Sequence, residues 1–182
     1  PIPEMLDWDL WLGPATHRPY HPNYLPGKWR YWFDFGTGVL GDWVCHILDP
    51  AFWALNLEAP VSIIAKNSGG EYSPEKFAPQ SDIEYRFPAR GSRPPVKVIW
   101  TYGNRADIPQ LQGVELEDWN AKAGAILIGE KGSIVHGSHG AGNLRILPES
   151  RAAEFQKPPE SIPRVPLGHQ QDWIRACKDG KP

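Results

Sequence analysis

The sequence is short of cysteine, of long apolar runs and of any excess charge. Two cysteines in 182 residues cannot build a disulfide framework, and their separation matches no common metal-ligand spacing. No stretch approaches the roughly 20 apolar residues of a membrane-spanning helix, and the first residues lack the profile of a signal peptide. With 19 Lys and Arg against 21 Asp and Glu, the formal charge of −2 argues against nucleic acid or a membrane surface as a partner.

What the chain does contain is a large number of tryptophans, prolines and glycines: 9, 20 and 18, respectively. Disordered chains are poor in aromatic residues, so the tryptophans indicate a folded protein with many turns. At this length we expect a single domain over residues 1–182. Because the chain begins without methionine and ends abruptly, we expect it to be part of a longer protein. No signal assigns a compartment, so the cytoplasm is the default expectation.

Proline and aromatic residues dominate residues 1–35, which we call the aromatic arm. Prolines exclude a long helix here, because each removes an amide donor and fixes φ. The prolines concerned are Pro14, Pro19, Pro22 and Pro26. Trp8, Trp11, Trp29 and Trp32 must nevertheless bury their rings. We expect an irregular arm whose rings either cover another surface or form one wall of a ligand site.

The clearest helical pattern lies in residues 36–56. One apolar stripe follows the helical period: Leu40, Val44, Ile47, Ala51 and Leu55. A second face has the same period: Asp42, His46, Asp49 and Trp53. Pro50 interrupts the pattern, because its ring would clash with the carbonyl of His46. The helix is therefore expected to kink there, or to restart with Asp49 as its cap and Pro50 at its first position.

After residue 60 the period changes towards two, which indicates strands. Six candidate strands follow one another: residues 61–66, 81–87, 95–102, 125–130, 132–137 and 143–148. Lys131 and Gly132 form the expected turn between the fourth and fifth strands. We expect a longer loop at 103–123 and an extended surface segment at 148–166. The order of elements predicts an α+β domain with an open, mainly antiparallel β-sheet and helices on one face.

The last segment indicates a short helix that begins near His169. Trp173, Ile174 and Cys177 are expected on its buried side, and Gly180 is expected to end it. If helices cover only one face of the sheet, the apolar strands need a second cover. This need predicts a homo-oligomer formed through the sheet face.

The pair Asp42 and His46 is the strongest candidate for catalysis. Side chains four residues apart meet on a helix surface, so the carboxylate can orient the imidazole or share a substrate hydroxyl with it. Histidine is the side chain best suited to accept a proton at neutral pH. An ordinary polar helix face shows the same spacing, and spacing alone favours that simpler interpretation.

Three glycines spell G-x-G-x-x-G, the pattern of dinucleotide-binding loops: Gly36, Gly38 and Gly41. The surroundings argue against that function. Asp42 would bring a negative charge to the phosphates, and the preceding residues are too bulky for a first Rossmann strand. A tight turn into the helix explains these glycines better.

The other histidines predict no metal site. Pro19 separates His17 from His21, so these two cannot share one helix. His136 and His139 lie in a glycine-rich stretch where a hairpin loop is the default. No third ligand is placed near them at a standard spacing.

The motif G-x-G-x-x-x-D-x-x-x-H is complete at Gly36, Gly38, Asp42 and His46, with Asp49 three residues further on. It resembles the motif that opens the C-terminal domain of the Gfo/Idh/MocA oxidoreductases, which include glucose–fructose oxidoreductase and inositol dehydrogenase. Longer blocks are similar to one branch of that family, the predicted dehydrogenases: residues 6–15, 28–55, 125–137 and 168–182. The resemblance spans nearly the whole chain.

The resemblance implies a dihydrodipicolinate-reductase-like α+β domain that forms one wall of a substrate site and mediates oligomerisation. An N-terminal Rossmann domain outside this chain would bind NAD or NADP, and hydride would pass to the nicotinamide. By position, His46 would take the proton of the substrate hydroxyl, and Asp42 would hold that hydroxyl and tune the histidine. Trp29 and Arg30 would contact substrate or cofactor, and Asp49 would contact the substrate, a sugar, cyclitol or related polyol.

Departures from the family pattern bear on function. The family's middle glycine is Thr37 here, and these residues contain neither the nucleotide loop nor the Glu-Lys-Pro motif with its catalytic lysine. The chain alone is therefore expected to be inactive. Two other functions stay open. One is an NAD-dependent relative that cleaves or epimerises glycosides, and the other is a non-catalytic carbohydrate-binding or assembly module in which Asp42 and His46 are incidental.

Overall fold

The structure is a computed structural model that describes residues 1–67, 69–71, 73–103, 123–162 and 164–180. Its helices are α1 (Trp8–Leu12), α2 (Gly38–Ala54), α3 (Glu149–Glu154) and α4 (His169–Asp179). Its strands are β1 (Ser62–Asn67), β2 (Ser81–Phe87), β3 (Val96–Tyr102), β4 (Gly124–Gly129), β5 (Gly132–Gly137) and β6 (Arg145–Leu147). The chain divides into two compact units, Pro1–Ala152 and Ala153–Pro182. The expectation of one domain over the whole chain stays a prediction.

The described strands form two antiparallel sheets of three strands, ordered β1-β2-β3 and β4-β5-β6. All six predicted strands are present, and each begins and ends within about two residues of its predicted bounds. The predicted α+β class with antiparallel strands is confirmed. The strands are divided between two sheets in the described part of the chain, whereas the sequence predicted one.

The turn between β4 and β5 lies one residue earlier than predicted. Gly129 pairs with Gly132, so Glu130 and Lys131 form the turn, rather than Lys131 and Gly132. Gly132 belongs to β5, where its φ is 150° and an added Cβ would collide with the carbonyl oxygen of Leu147 in β6. Glycine is needed at this position because the neighbouring strand approaches so closely.

The two faces of the β1-β2-β3 sheet differ in character. The register brings apolar and aromatic side chains together on one face, which we call the apolar sheet face: Ile63, Ala65, Ile83, Tyr85, Val98 and Trp100. The opposite face carries Glu84, which is 1% exposed and ion-paired with Lys66 and Arg86. Hydrogen bonds from Lys66 and Arg86 lower the pKa of the Glu84 carboxyl from 4.5 to about 2.

The predicted helix at 36–56 is present as α2, and it continues through Pro50. Of the two predicted alternatives, the restart at Asp49 is therefore wrong, and the kink at Pro50 stays a prediction. A proline in a helix cannot donate to the carbonyl four residues earlier, which here belongs to His46. That carbonyl accepts a hydrogen bond from the backbone amide of His139, at 3.2 Å. A partner from outside the helix thus replaces the missing intrahelical bond, and the helix continues.

The end of α2 is bound by the turn between β2 and β3. Arg90 donates from Nη2 to the carbonyl of Leu55 at 3.2 Å, and Arg93 donates from Nη1 to the carbonyl of Ala54 at 3.3 Å. The last carbonyls of a helix lack intrahelical partners, and a cation also suits the negative end of the helix dipole. These bonds join the first sheet to α2.

The aromatic arm packs largely against itself. Trp8, Leu12, Tyr24 and Trp32 form a buried cluster. Trp8 stacks on Trp11 at 4.9 Å, and Tyr24 meets Trp32 edge-on at 4.6 Å. As the prolines predicted, the arm contains no long helix, only α1 and two short 3-10 helices. These ring contacts therefore fix the end of the arm at the point where the chain enters α2.

The second unit contains α4 and the proline-rich residues before it. The helix begins at His169 and ends at Gly180, where φ is 63°, as predicted. The predicted burial of Trp173, Ile174 and Cys177 is wrong: all three are exposed, Trp173 to 69%. The described residues that precede α4 in this unit are themselves mostly exposed, so they provide little apolar cover for it.

The segment predicted to be extended, 148–166, begins with the short helix α3. The sequence of α3 consists mainly of good helix formers, Glu, Ala and Arg, and the amide of Arg151 binds the carbonyl of Pro148 at 2.9 Å. The predicted loop at 103–123 lies almost entirely outside the described residues. No helix among the described residues is long and apolar enough to span a membrane.

Candidate functional site

The candidate site lies at the start of α2, where the chain leaves the aromatic arm. Gly36 lies directly against the backbone of Arg30, and an added Cβ at residue 36 would lie 2.5 Å from the Arg30 Cα. Only glycine permits so close an approach. The turn therefore brings Arg30 beside the first turns of the helix.

Protein contacts also account for the other glycines of the G-x-G-x-x-G pattern. Gly38, with a φ of 66°, packs against the ring of Phe77, and Gly41 lies against the side chain of Thr37. In a dinucleotide loop the middle glycine lets the backbone approach the pyrophosphate, and here the Phe77 ring lies against that glycine, Gly38. This contact argues against a dinucleotide loop at residues 36–41. Among the described residues, no group of three His, Cys, Asp or Glu side chains could hold a metal ion.

Arg30 binds the carboxylate of Asp42. Its Nη1 donates to Asp42 Oδ2 at 2.6 Å, and both side chains are partly exposed. A charge-assisted hydrogen bond of this length orients the carboxylate, and its partial exposure leaves it accessible to a ligand. The ring of Trp29, 39% exposed, has its centroid 5.8 Å from the Arg30 guanidinium. The structure thus brings Trp29, Arg30 and Asp42 together.

His46 has different neighbours. Its ring lies parallel to the ring of His139, with centroids 4.5 Å apart and planes 17° apart. Trp43 meets both rings edge-on, at 5.3 Å from His139 and 6.4 Å from His46. We call these three residues the histidine stack. His46 remains exposed at the helix surface, as does Asp49 on the same face.

Asp42 and His46 lie one turn apart on α2, as their spacing requires, but each side chain has its own partner. The carboxylate binds Arg30, and the imidazole stacks on His139. Groups one turn apart have Cβ atoms about 5–6 Å apart. Because both are accessible, they can contact neighbouring atoms of one hydroxylated ligand. Their assigned roles in proton transfer stay predictions.

His139 belongs to the loop between β5 and β6, residues 138–144. Three residues of this β5–β6 loop have left-handed backbone conformations: His139, Ala141 and Asn143, with φ of 54–56°. Outside glycine such conformations are uncommon and require support from the surrounding structure. The amide of Gly137 binds the carbonyl of Gly142 at 2.7 Å and closes the loop.

An open pocket of about 270 Å³ lies beside the histidine stack. It is lined by Trp43, Ala123, Gly137, Ser138, His139, Gly142 and Asn143. An indole together with hydroxyl, amide and imidazole groups suits a ligand with apolar faces and hydroxyl edges. Sequence reasoning missed Trp43 and His139. Pro50 was the one residue in the sequence that indicated a contact near His46, because a proline there leaves the carbonyl of His46 without a hydrogen-bond donor inside the helix.

A larger cavity, of about 680 Å³, lies between the aromatic arm and the residues before β2. Tyr31 and Tyr102 line it, and their side-chain hydrogen bond, together with burial, raises the pKa of Tyr102 to about 12. The Lys76 ammonium lies 4.3 Å from the centroid of the Trp32 ring. The arm thus contributes a wall to a cavity as well as packing against itself.

The first half of the chain matches a known protein family. Residues 1–91 match the family model described as the C-terminal alpha/beta domain of the oxidoreductase family. The chain therefore belongs to the Gfo/Idh/MocA oxidoreductases, a family that is generally NAD(P)-dependent. The match includes the aromatic arm and α2, whereas the β5–β6 loop lies outside it. No curated protein matches the chain.

Proposed function

We propose that this domain supplies the proton-transfer pair of an NAD(P)-dependent oxidoreductase that acts on a sugar, cyclitol or related polyol. The observation that carries the proposal is the exposed ring of His46, one helical turn from a carboxylate that Arg30 orients. Family membership supports an oxidoreductase. The pocket beside the histidine stack, with its indole and polar groups, supports a hydroxylated substrate.

Oxidation of an alcohol to a carbonyl requires the hydroxyl proton to leave. His46 accepts that proton at a ring nitrogen, as general base. Asp42 accepts a hydrogen bond from a substrate hydroxyl, and Arg30 keeps the carboxylate in place. Trp29, through its exposed ring, and Asp49, through its exposed carboxylate, contact the rest of the substrate.

The hydride acceptor in this family is NAD or NADP, and we place it mainly in a separate nucleotide-binding domain. The three glycines of the pattern lie against other parts of the protein, and the contact of Gly38 with the Phe77 ring supports this placement. A fluorescence titration with NADH tests it, on residues 1–182 and on the protein expressed from its whole reading frame. We expect only the longer protein to bind. Binding by residues 1–182 alone would contradict the placement and favour the glycines as a nucleotide loop.

Analysis of products separates the alternative functions. A dehydrogenase accumulates oxidised polyol and one reduced nicotinamide for each turnover. A relative that cleaves or epimerises glycosides regenerates its cofactor, so cleaved or inverted sugar would form without net reduction of NAD. A non-catalytic binding module would convert no sugar at all, and its affinity for carbohydrate would not depend on His46.

We also propose that the domain forms a homo-oligomer through the apolar sheet face. Ile63, the second residue of β1 and part of this face, is 61% exposed, which is a large exposure for an isoleucine beside other apolar side chains. The opposite face carries the buried, ion-paired Glu84 between Ile64 and Ile99, so a charge lies at its centre. Apolar surface of this kind is stabilised when a second copy covers it.

Light scattering on purified protein tests the oligomer. We expect Ile63→Lys to dissociate it, because a charge would be buried without a partner. Ser62→Lys, one residue earlier and therefore on the opposite face, is the matched control and should leave the mass unchanged. A monomeric parent protein at high concentration would contradict the proposal.

A further inference from the structure

The contact between α2 and the β5–β6 loop depends on a missing amide. Proline at position 50 leaves the carbonyl of His46 without its usual partner inside the helix. The backbone amide of His139 binds that carbonyl at 3.2 Å. This hydrogen bond attaches the loop to α2 at His46, the residue that we propose as the general base.

The side chains of His46 and His139 are in contact as well as their backbones. The rings of His46 and His139 lie parallel at 4.5 Å, and Trp43 meets both edge-on. The hydroxyl of Ser138 is hydrogen bonded to Nδ1 of His139, which orients the second ring in turn. An exposed histidine on a helix otherwise samples several rotamers. Stacking covers one face of the His46 ring, while the residue as a whole remains exposed.

We propose that His139 is a positioning residue for proton transfer at His46, an inference that rests on the proposed function. His139 holds the imidazole of His46 in one orientation, in which a ring nitrogen receives the proton of the substrate hydroxyl. It does not itself exchange the proton. In the loop His139 has a φ of 54°, and in this conformation its amide binds the carbonyl of His46 while its ring stacks on the His46 ring.

The kinetic test uses the protein expressed from its whole reading frame. NADH formation is followed with the best substrate from a panel of myo-inositol, sorbitol, glucose and xylose. His139→Gly removes the ring but keeps the amide and accepts the left-handed conformation. We expect kcat to fall roughly 10- to 100-fold with KM nearly unchanged, because a misplaced base slows chemistry more than binding.

Two further variants separate positioning from folding. His139→Phe restores a flat ring without nitrogens and should recover most of the lost kcat, whereas a proton-transferring role would not be rescued. Ala141→Gly relaxes another left-handed position of the same loop and serves as the control for loop flexibility. It should leave kcat within about twofold of the parent, since it touches neither ring.

A spectroscopic test needs no substrate. In protein labelled at histidine, the ring protons of His46 lie in the shielding region of the His139 ring. His139→Gly should therefore shift the His46 ring resonance, and His139→Phe should shift it back towards its original position. An unchanged resonance would overturn the stack itself, whatever the activity of the enzyme.

The outcomes distinguish this inference from the function on which it rests. If His46→Ala abolishes turnover while His139→Gly does not change it, the positioning role is wrong and the proposed function stands. If His46→Ala leaves turnover unchanged, the proposed function fails, and the positioning role fails with it. Loss of kcat in His139→Gly with recovery in His139→Phe supports both.

Discussion

Pro50→Ala separates the stability of α2 from the attachment of the β5–β6 loop. Alanine at position 50 supplies an amide that can bind the carbonyl of His46 within the helix, in competition with the amide of His139. A proline inside a helix is about 3 kcal/mol less favourable than alanine. The hydrogen bond from His139 that would be lost contributes about 1 kcal/mol. We therefore expect the free energy of unfolding to rise by about 2 kcal/mol.

The same substitution should slow the enzyme. Once the carbonyl of His46 is bound inside the helix, the loop loses its backbone attachment, and the stacked rings are no longer held together. Urea unfolding measures the stability, and a rise of about 2 kcal/mol corresponds to roughly 4–8 °C in Tm for a domain of this size. Steady-state kinetics should show a lower kcat in the more stable variant.

Pro60→Ala is the matched control, because Pro60 lies in the connection between α2 and β1. Replacing this proline gives the unfolded chain more conformational freedom, which should lower the free energy of unfolding by about 0.4–1 kcal/mol. It should leave kcat unchanged. A gain of stability in Pro50→Ala without any loss of kcat would show that the bond from the His139 amide does not hold the stacked rings together. A variant less stable than the parent would show that the His139 bond outweighs the helical one.

The shifted pKa values of Glu84 and Tyr102 lead to two predictions that titrations can test. Because the pKa of Glu84 is lowered to about 2 in the folded protein, its ion pairs stabilise the fold fully above about pH 4.5 and are lost as the pH falls towards 2. Unfolding free energies measured across this range should depend less steeply on pH in Glu84→Gln than in the parent. Tyr31→Phe should bring the pKa of Tyr102 down from about 12 towards 10, and ultraviolet absorbance of the phenolate reports it. An unshifted phenolate transition would exclude the Tyr31 hydrogen bond as the cause.

Local periodicity was sufficient to predict most of the elements. Strand β2 occupies the predicted residues 81–87, and α2 lies within the predicted 36–56. Alternation and helical periodicity are properties of neighbouring residues, so a single sequence reports them. The division into two sheets and the exposure of Trp173 depend on what each element packs against. Periodicity does not contain that information.

Only the part of the candidate site that depends on local spacing could be predicted from the sequence. Asp42 and His46 share a face because helical spacing dictates it, and Arg30 lies near the motif in sequence. Their actual partners come from tertiary contacts. His139 lies more than 90 residues from His46, and only the unsatisfied carbonyl created by Pro50 indicated that an outside donor was needed.

The function proposed for this domain depends on the transfer of a proton by His46 in an oxidoreductase reaction. Its most direct test compares kcat of His46→Ala with that of the parent, in the protein expressed from its whole reading frame, with polyol and NAD as substrates. His17→Ala, in the aromatic arm, controls for the loss of a histidine. We expect His46→Ala to lower kcat by about 10²–10⁴-fold while the control does not change it. An unchanged kcat in His46→Ala would contradict the claim.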